Sequence, residues 1–557
     1  MERLILYCLI FAMLFSVCGC ALQKPVQTTP VVTTEPQPTG PMDLSGKYPL
    51  DEIRNEAVIN LASPGNGDVG NARVFYHIFV GSFSDSNGDG LGDLRGIINR
   101  FDYLNDGNPE SGLSLGVEGI WLSPIFTSPS YHKYDVADYY QIDPKFGTME
   151  DLQELIQLCH ERDVKLILDL VINHTASNHP WFREFTAAHV AGDTENEYYD
   201  YYTWSTEGLP GKAMYNITTS GHLYEGNFSG SMPELNYDNE VVRQKMVEVA
   251  KYYLDMGIDG FRFDAAKYVY YGEESRNVEF WDWYMAQLRA IKPDLYSVAE
   301  VWDGDGVVIP YFSSTNCFNF TMAQTNGQIA LAAKAGDVNA YVSYVDRYID
   351  SIKAENPDAF PVTFIANHDT DRAAGFLPVS YGQAQVAANL SILMPGSSFV
   401  YYGEEIGMKG SRGGANTDAN RRLAMLWGDG DTVRDPQGAD YSSEQTNGTV
   451  ADQLPNGDSL YNHYKKLIQV RKACPEIALG DFTPLVIADS YVGGFLSTYE
   501  SSSVAVFHNT STETVQIDLS QFPELSAMNL FAAVGIHGAS LDGTVLTIEG
   551  QTSVVLK

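Results

Sequence analysis

Three carboxylates in this chain each follow an apolar run that reads as a buried strand: Asp264 in Gly-Phe-Arg-Phe-Asp, Glu300 in Tyr-Ser-Val-Ala-Glu, and Asp369 in Phe-Ile-Ala-Asn-His-Asp. An ionised carboxylate beside a hydrophobic run is costly to bury unless it is paired or hydrogen-bonded. Three of them in the same position relative to successive strands point to one shared rim, the C-terminal face of a parallel barrel. Paired carboxylates on such a rim can cleave glycosidic bonds. Arg262 and Asp264 lie two residues apart on a strand and so share a face. A guanidinium there favours the ionised carboxylate, which suits a nucleophile at an anomeric carbon. Taken alone, the pair reads equally well as a strand-anchoring ion pair. Glu300 sits in Ser-Val-Ala-Glu-Val-Trp, apolar surroundings that favour a protonated general acid. Taken alone, it is as easily a solvated glutamate at a strand end.

Other polar residues sit at strand exits. Asn367-His368-Asp369 can hydrogen-bond sugar hydroxyls or cap the next helix. Asp169, between Leu168 and Leu170, reads as internal structural support, whereas Asn173 and His174 are placed to reach a metal or a substrate. Asp85-Ser-Asn87-Gly-Asp89-Gly-Leu91-Gly-Asp93 puts oxygen donors at alternate positions among glycines. That is a calcium-type loop, with Leu91 offering its carbonyl. Its twelfth position is Gly96 rather than glutamate, so it is not an EF-hand but a structural clamp on the first loop. Without metal it would be an Asx-rich turn.

The elements that must position these groups recur regularly. Strand-like runs fall at Val74–Val80, Gly119–Ser123, Lys165–Ile172, Gly260–Asp264, Tyr296–Ala299, Phe318–Met322, Val362–Ala366 and Ser398–Tyr402. Amphipathic stretches between them include Met149–Arg162, Glu240–Met256 and Val278–Ile291. Alternating strands and helices with eight strands predict an α/β fold, a (β/α)₈ TIM barrel. The connection from Asn173 to Tyr237 is too long for a simple loop and predicts an inserted domain after strand 3. Beyond about Ala473 the runs alternate and are separated by turn residues, as in a C-terminal antiparallel β-sandwich. The expected parts are the barrel's first half over 70–172, the insertion over 173–237, the barrel's second half over 238–473 and the sandwich over 474–557.

The chain has 557 residues and a net charge of −36, from 35 basic and 71 acidic side chains. So acidic a chain repels nucleic acid and anionic lipid surfaces, and neither is expected as a partner. Of six cysteines, Cys8, Cys18 and Cys20 fall in the N-terminal apolar segment. Cys159, Cys317 and Cys474 have no metal-type spacing and are expected as buried free thiols. Arg3 precedes an apolar run from Leu4 to Val17, too short to span a bilayer comfortably. The run ends in Val17-Cys18-Gly19-Cys20 and resembles a bacterial lipoprotein signal over 1–20, which implies lipidation of Cys20 and a cell-surface anchor. An ordinary cleaved signal and a secreted product is the alternative. Residues 21–50, rich in Pro and Thr, read as an extended tether.

Together these segments resemble the alpha-amylase family, glycoside hydrolase family 13. The matching blocks are Asp169-Leu-Val-Ile-Asn-His174, Gly-Phe-Arg262-Phe-Asp264-Ala-Ala-Lys267, Ala-Glu300-Val-Trp and Asn367-His368-Asp369, supported by Met232-Pro-Glu-Leu-Asn236 and Tyr401-Tyr-Gly-Glu-Glu-Ile-Gly407. The resemblance implies Asp264 as nucleophile, Glu300 as acid/base and Asp369 as transition-state stabiliser. It also implies substrate contacts from Arg262, His174, His368 and Lys267, and from His132 and Tyr134 in Tyr131-His132-Lys133-Tyr134. A retaining mechanism through a covalent glycosyl-enzyme intermediate follows, with the two carboxyls about 5–5.5 Å apart. Ala265 and Lys267 after the nucleophile look like enzymes of α-1,4 bonds, so starch or maltooligosaccharides are the expected substrates and Ca²⁺ the expected structural cofactor. Three departures stand out: Tyr268 where many amylases carry histidine, Glu234 where aspartate is commoner (which bears on a second calcium site using Asn173), and a loose match at Asn420-Arg-Arg422. A transglycosylase, maltogenic or oligo-α-glucosidase activity would share every catalytic residue. A non-catalytic glycan-binding lipoprotein would ordinarily have lost a carboxylate, and all three are present. A monomer is the default expectation.

Overall fold

The computed structural model describes residues 69–557 except 110, 412 and 414–416, together with 40, 42 and 44. The expected signal segment, Cys20 and nearly all of the Pro/Thr-rich tether lie outside the described residues.

Eight short strands form one sheet: β1 (Val74–Ile78), β2 (Gly119–Leu122), β3 (Lys165–Leu170), β4 (Gly260–Phe263), β5 (Tyr296–Ala299), β6 (Asn316–Cys317), β7 (Val362–Phe364) and β8 (Ser397–Tyr401). All pairings are parallel, in the order β6-β5-β4-β3-β2-β1-β8-β7. A further parallel bridge, Phe318 to Val362, joins the two ends of that order. The sheet is thus a closed (β/α)₈ barrel. Every residue of β1, β2, β4, β5, β7 and β8 is buried. Strands covered on both faces read as continuous apolar runs, which is why the sequence pattern located them.

The sixth strand corrects the expected Phe318–Met322. Only Asn316–Cys317 forms a regular ladder, against Val298 and Ala299. Past the Phe318 bridge the chain turns: Met322 donates its N–H to Asn319 Oδ1, and Gln324 takes a positive φ of 72°. Phe318 and Phe320 were apolar because they fill the barrel interior, not because they lie in a strand. That interior also holds Phe75, Trp121, Ile167, Tyr296, Val298, Phe364 and Phe399.

The helices packed outside include α1 (Met149–Glu161), α2 (Glu240–Met256) and α3 (Glu274–Ile291), the amphipathic stretches expected from sequence. The Thr148–Asp151 capping box starts α1 and Gly257, at φ 113°, ends α2. Between β3 and α2 the chain makes a helix, Pro180–Ala191, and a three-stranded antiparallel sheet. In that sheet Leu223–Glu225 lies between Trp204–Ser205 and Met214–Asn216. After the barrel, a five-stranded and a three-stranded antiparallel sheet enclose a second core around Phe507, Ile517, Leu546 and Val554. Asn389 of the barrel side donates to Val534 O and Ser553 Oγ of this sandwich, each at 2.9 Å. Cys159, Cys317 and Cys474 are buried free thiols.

Candidate active site

Asp264 and Glu300 come immediately after β4 and β5, and the sheet ladder runs on through them. Asp264 N donates to Leu170 O at 3.2 Å and Glu300 N to Phe263 O at 2.9 Å. Both side chains are therefore carried on rigid backbone at the C-terminal rim. Ala265 then adopts a left-handed conformation, φ 49°, which lets its N–H donate to Glu300 Oε2 at 3.1 Å.

Arg262 is the hub beneath them. It stands opposite Asp169 on β3 and Val298 on β5. Its Nη1 donates to Asp264 Oδ1 at 2.6 Å and to both Asp169 oxygens, at 2.9 and 3.1 Å. Its Nη2 lies 2.9 Å from Glu300 Oε2. A single planar fork thus holds the two rim carboxylates side by side. One positive charge facing three carboxyls in a dry site cannot neutralise them all, so protons must be retained. Burial pushes the Glu300 carboxyl up to about 8, against Arg262 and helped by Asp264 and Asp369. Burial likewise brings Asp169 to about 7, again against Arg262.

The third carboxylate joins from β7. Asp369 Oδ2 lies 3.0 Å from His368 Nε2, and Arg422 donates from Nη2 to Oδ1 at 2.9 Å. Burial pushes the Asp369 carboxyl up, but His368, Arg422 and Arg421 outweigh it and hold it well below the usual carboxylate range. His368 Nε2 is also 2.6 Å from the Tyr134 hydroxyl, which donates to Asp169 Oδ2 at 2.9 Å. A polar chain thus runs from Asp369 through His368, Tyr134 and Asp169 to Arg262 and the other two carboxylates.

Above this belt opens a cavity of about 680 Å³. It is lined by Asp264, Glu300, Asp369, His132, Tyr134, His174 and Lys267 among the residues expected from sequence, while Arg262 and His368 lie buried under its floor. His132 accepts the Tyr134 N–H on Nδ1 at 3.1 Å, and His174 Nε2 lies 3.2 Å from Tyr134 O. Burial lowers both imidazoles below their usual value, so they face the cavity neutral. Lys267 donates to Trp302 O at 2.8 Å and pairs with Asp303 at 3.0 Å.

Further residues line the cavity beyond the substrate contacts expected from sequence. Phe228, Tyr268 and Trp302 give the cavity aromatic walls, and Asp418, Arg421 and Arg422 close one edge. Phe228 and Trp302 lie outside regular elements and Tyr268 ends the short 3₁₀ turn Ala266–Tyr268, so none carries a periodic signal. The arginines carried one signal, two adjacent guanidinium side chains shortly after β8, in the segment that only loosely fits the family pattern.

The Asp85–Asp93 loop lies apart from the cavity-lining residues. It is a run of successive Asx turns: Asn87 N donates to Asp85 Oδ1, Asp89 N to Asn87 Oδ1, and Leu91 N to Asp89 Oδ1, at 3.0, 3.0 and 2.8 Å. Asp93 caps the next helix, accepting the Gly96 N–H at 2.6 Å. Among the described residues no three His, Cys, Asp or Glu side chains converge as a metal-holding group. The other suggested metal position is different. Asn173 Oδ1 is buried with no hydrogen-bond partner. The next residue, His174, forms a β-bridge with Glu234; Glu234 shares the Asn227 side chain with Glu225, and Lys212 Nζ lies 3.2 Å from Glu225.

Residues 77–480 match the family model described as alpha amylase, catalytic domain. Alpha-amylase 3 of Dictyoglomus thermophilum is 35% identical over 445 residues, 78% of this chain and 84% of that protein. A 4-alpha-glucanotransferase of Thermotoga maritima is 30% identical over 463 residues, 79% and 96% of the two chains. The solved structure of Eubacterium rectale Amy13B superposes with a TM-score of 0.81 at 32% identity, covering 88% of this chain and 96% of that one.

Proposed function

The chain belongs to the alpha-amylase family, a family of glycoside hydrolases and transglycosylases, and from that premise we propose that it cleaves α-1,4-glucosidic bonds in starch or maltooligosaccharides with retention of configuration. The observation that carries this reading is the Arg262 fork: from beneath the cavity floor one guanidinium contacts Asp264 and Glu300 together, and both carboxyls line the cavity, where burial raises Glu300 and favours its protonated form. Asp264 attacks the anomeric carbon as the bond to the leaving oxygen breaks, and Glu300 hands that oxygen its proton. Glu300 then takes a proton from water as the water oxygen bonds to the anomeric carbon and the glycosyl–Asp264 bond breaks, which frees the sugar and returns the carboxylate. Asp369, held ionised, stabilises the positive charge that builds on the ring. His132 and His174 meet sugar hydroxyls, Tyr134 offers a stacking face, and Lys267 reaches the leaving-group side, while His368, buried beneath the cavity, acts through its contacts with Tyr134 and Asp369 rather than by touching the sugar.

The α-1,4 preference is supported by Ala265 and Lys267 after the nucleophile and by the name of the Dictyoglomus relative. Transfer to a second sugar is the alternative: the Thermotoga relative is named a glucanotransferase, and the aromatic walls at Phe228, Tyr268 and Trp302 suit a sugar acceptor as well as they exclude water. Chromatography of products from maltoheptaose, starch, pullulan and isomaltose tests both. Shorter maltooligosaccharides alone support hydrolysis, and products longer than the substrate support transfer. Inactivity on every α-1,4 substrate would overturn the reading.

Two further assignments belong to this proposal. The Asp85–Asp93 loop fits a calcium ion in its donor chemistry, being an oxygen-only set wound by its own Asx turns. Asp85, Asn87, Asp89, Asp93 and the Leu91 carbonyl would hold the ion, which would brace the loop. Excess chelator is then expected to lower the melting temperature, since an ion bound to the folded state stabilises it by mass action; an unchanged melting curve counts against the site. Cys20 is proposed as the lipidated residue of a cell-surface protein, and Cys20→Ser should move the protein from the membrane fraction to the soluble fraction of a bacterial host.

A further inference from the structure

His368 and Arg422 hold the Asp369 carboxylate from opposite oxygens. His368, fully buried, meets one oxygen of the carboxylate at 3.0 Å, and burial pushes its imidazole below its usual value. Arg422 meets the other oxygen as a full positive partner, and the Asp369 side chain is 27% exposed, to the cavity. Arg422 is itself only 4% exposed and is fixed at every nitrogen that the structure shows bonded. Its Nε donates to His368 O at 3.1 Å, and its Nη1 to Asp418 Oδ2 at 3.0 Å and to the Tyr131 hydroxyl at 3.2 Å. Asp418 is held in turn by Arg421 Nη2 at 2.6 Å and by the Tyr131 hydroxyl at 2.7 Å. Arg421 also donates from Nη1 to the Asp369 carbonyl. Two arginines and two aspartates therefore form a closed ring with no net charge. It ties the end of β7 to the segment after β8 and to the loop that carries His132.

We propose that Arg422 is a positioning residue of the reaction, holding Asp369 ionised and aimed into the cavity and coupling it to the Asp418–Tyr131 edge of the site. The inference rests on the reading of Asp369 as the carboxylate that steadies the sugar. Arginine is suited to this place because its planar fork serves both aspartates at once, where an ammonium serves one.

The test compares the wild type, Arg422→Met, Arg422→Lys, Asp369→Asn and the double variants on an activated aryl α-maltooligoside. Arg422→Met is expected to lower kcat by about 10–100-fold, the usual cost of losing an outer partner of a reacting group, while KM changes little. Arg422→Lys should recover part of that loss, because the charge returns without the fork. In the Asp369→Asn background either Arg422 substitution should add almost nothing, since the two residues act as a unit. Where Arg422→Met fails to fold, as its melting curve will show, Arg422→Lys and Asp369→Asn carry the same cycle. An unchanged kcat in a folded Arg422 variant, or an equal penalty in both backgrounds, overturns the proposal. An inert wild type, or an Asp369→Asn variant at full rate, overturns instead the reading of the site on which it rests.

Discussion

At the scale of single residues, the chemistry turns on how one guanidinium divides itself. Arg262 faces Asp169, Asp264 and Glu300, and burial leaves Glu300 holding its proton up to about 8. A general acid must be protonated to act, so kcat/KM should be flat through neutrality and fall as pH rises through about 8. A pH profile on an aryl maltooligoside checks this, and a limb at the ordinary glutamate value would show that Glu300 is not the acid. Glu300→Gln removes the transferable proton without changing shape and should cost about 10²–10⁴-fold in kcat on unactivated substrates. The loss should shrink with a good leaving group, which needs no protonation. Asp264→Asn should stop turnover on both kinds of substrate, because the covalent intermediate cannot form. Steady-state rates on maltoheptaose and on an activated glycoside separate the two roles.

At the scale of elements, the rim is precise because the barrel strands meet without room to spare. Gly260 opens β4, and a Cβ there would lie 1.9 Å from the Tyr296 carbonyl oxygen of β5. That contact is backbone, so it cannot relax by a rotamer change. Gly260→Ala should push β4 and β5 apart and destabilise the fold by about 1–3 kcal/mol, the usual cost of overpacking. The same shift would move Asp264 against Glu300. Urea unfolding with parallel rate measurements is the check: lost stability with kcat retained would mean that rim spacing is not set here. The element order, eight strands with helices between, was readable because doubly covered strands are short apolar runs and the helices carry a 3.6-residue stripe. β6 was not, because the aromatic run at Phe318–Phe320 marks the barrel interior and says nothing of hydrogen bonding.

At the scale of the whole molecule, the excess of 71 acidic over 35 basic residues works against the compact state through self-repulsion. Raising ionic strength from about 0.01 M to about 0.15 M shortens the screening length from about 30 to about 8 Å. The melting temperature is therefore expected to rise over that range; a fall would show that specific ion pairs outweigh the repulsion. Buried pairs such as Arg262–Asp169 are screened far less and should keep the site intact across the same range.

What the sequence by itself determined was the barrel, the insertion, the sandwich and the carboxylates at strand exits, because burial on both faces and position at a strand end leave marks in local pattern. Only the tertiary structure decided which polar groups share a charge. Arg262 meets Asp169 across neighbouring strands. Tyr134 meets His368 and Asp369 meets Arg422 between segments far apart in the chain. A salt bridge or hydrogen bond of that kind has no period and no fixed spacing. It exists only once the ring of strands has closed and brought the loop tips to one rim.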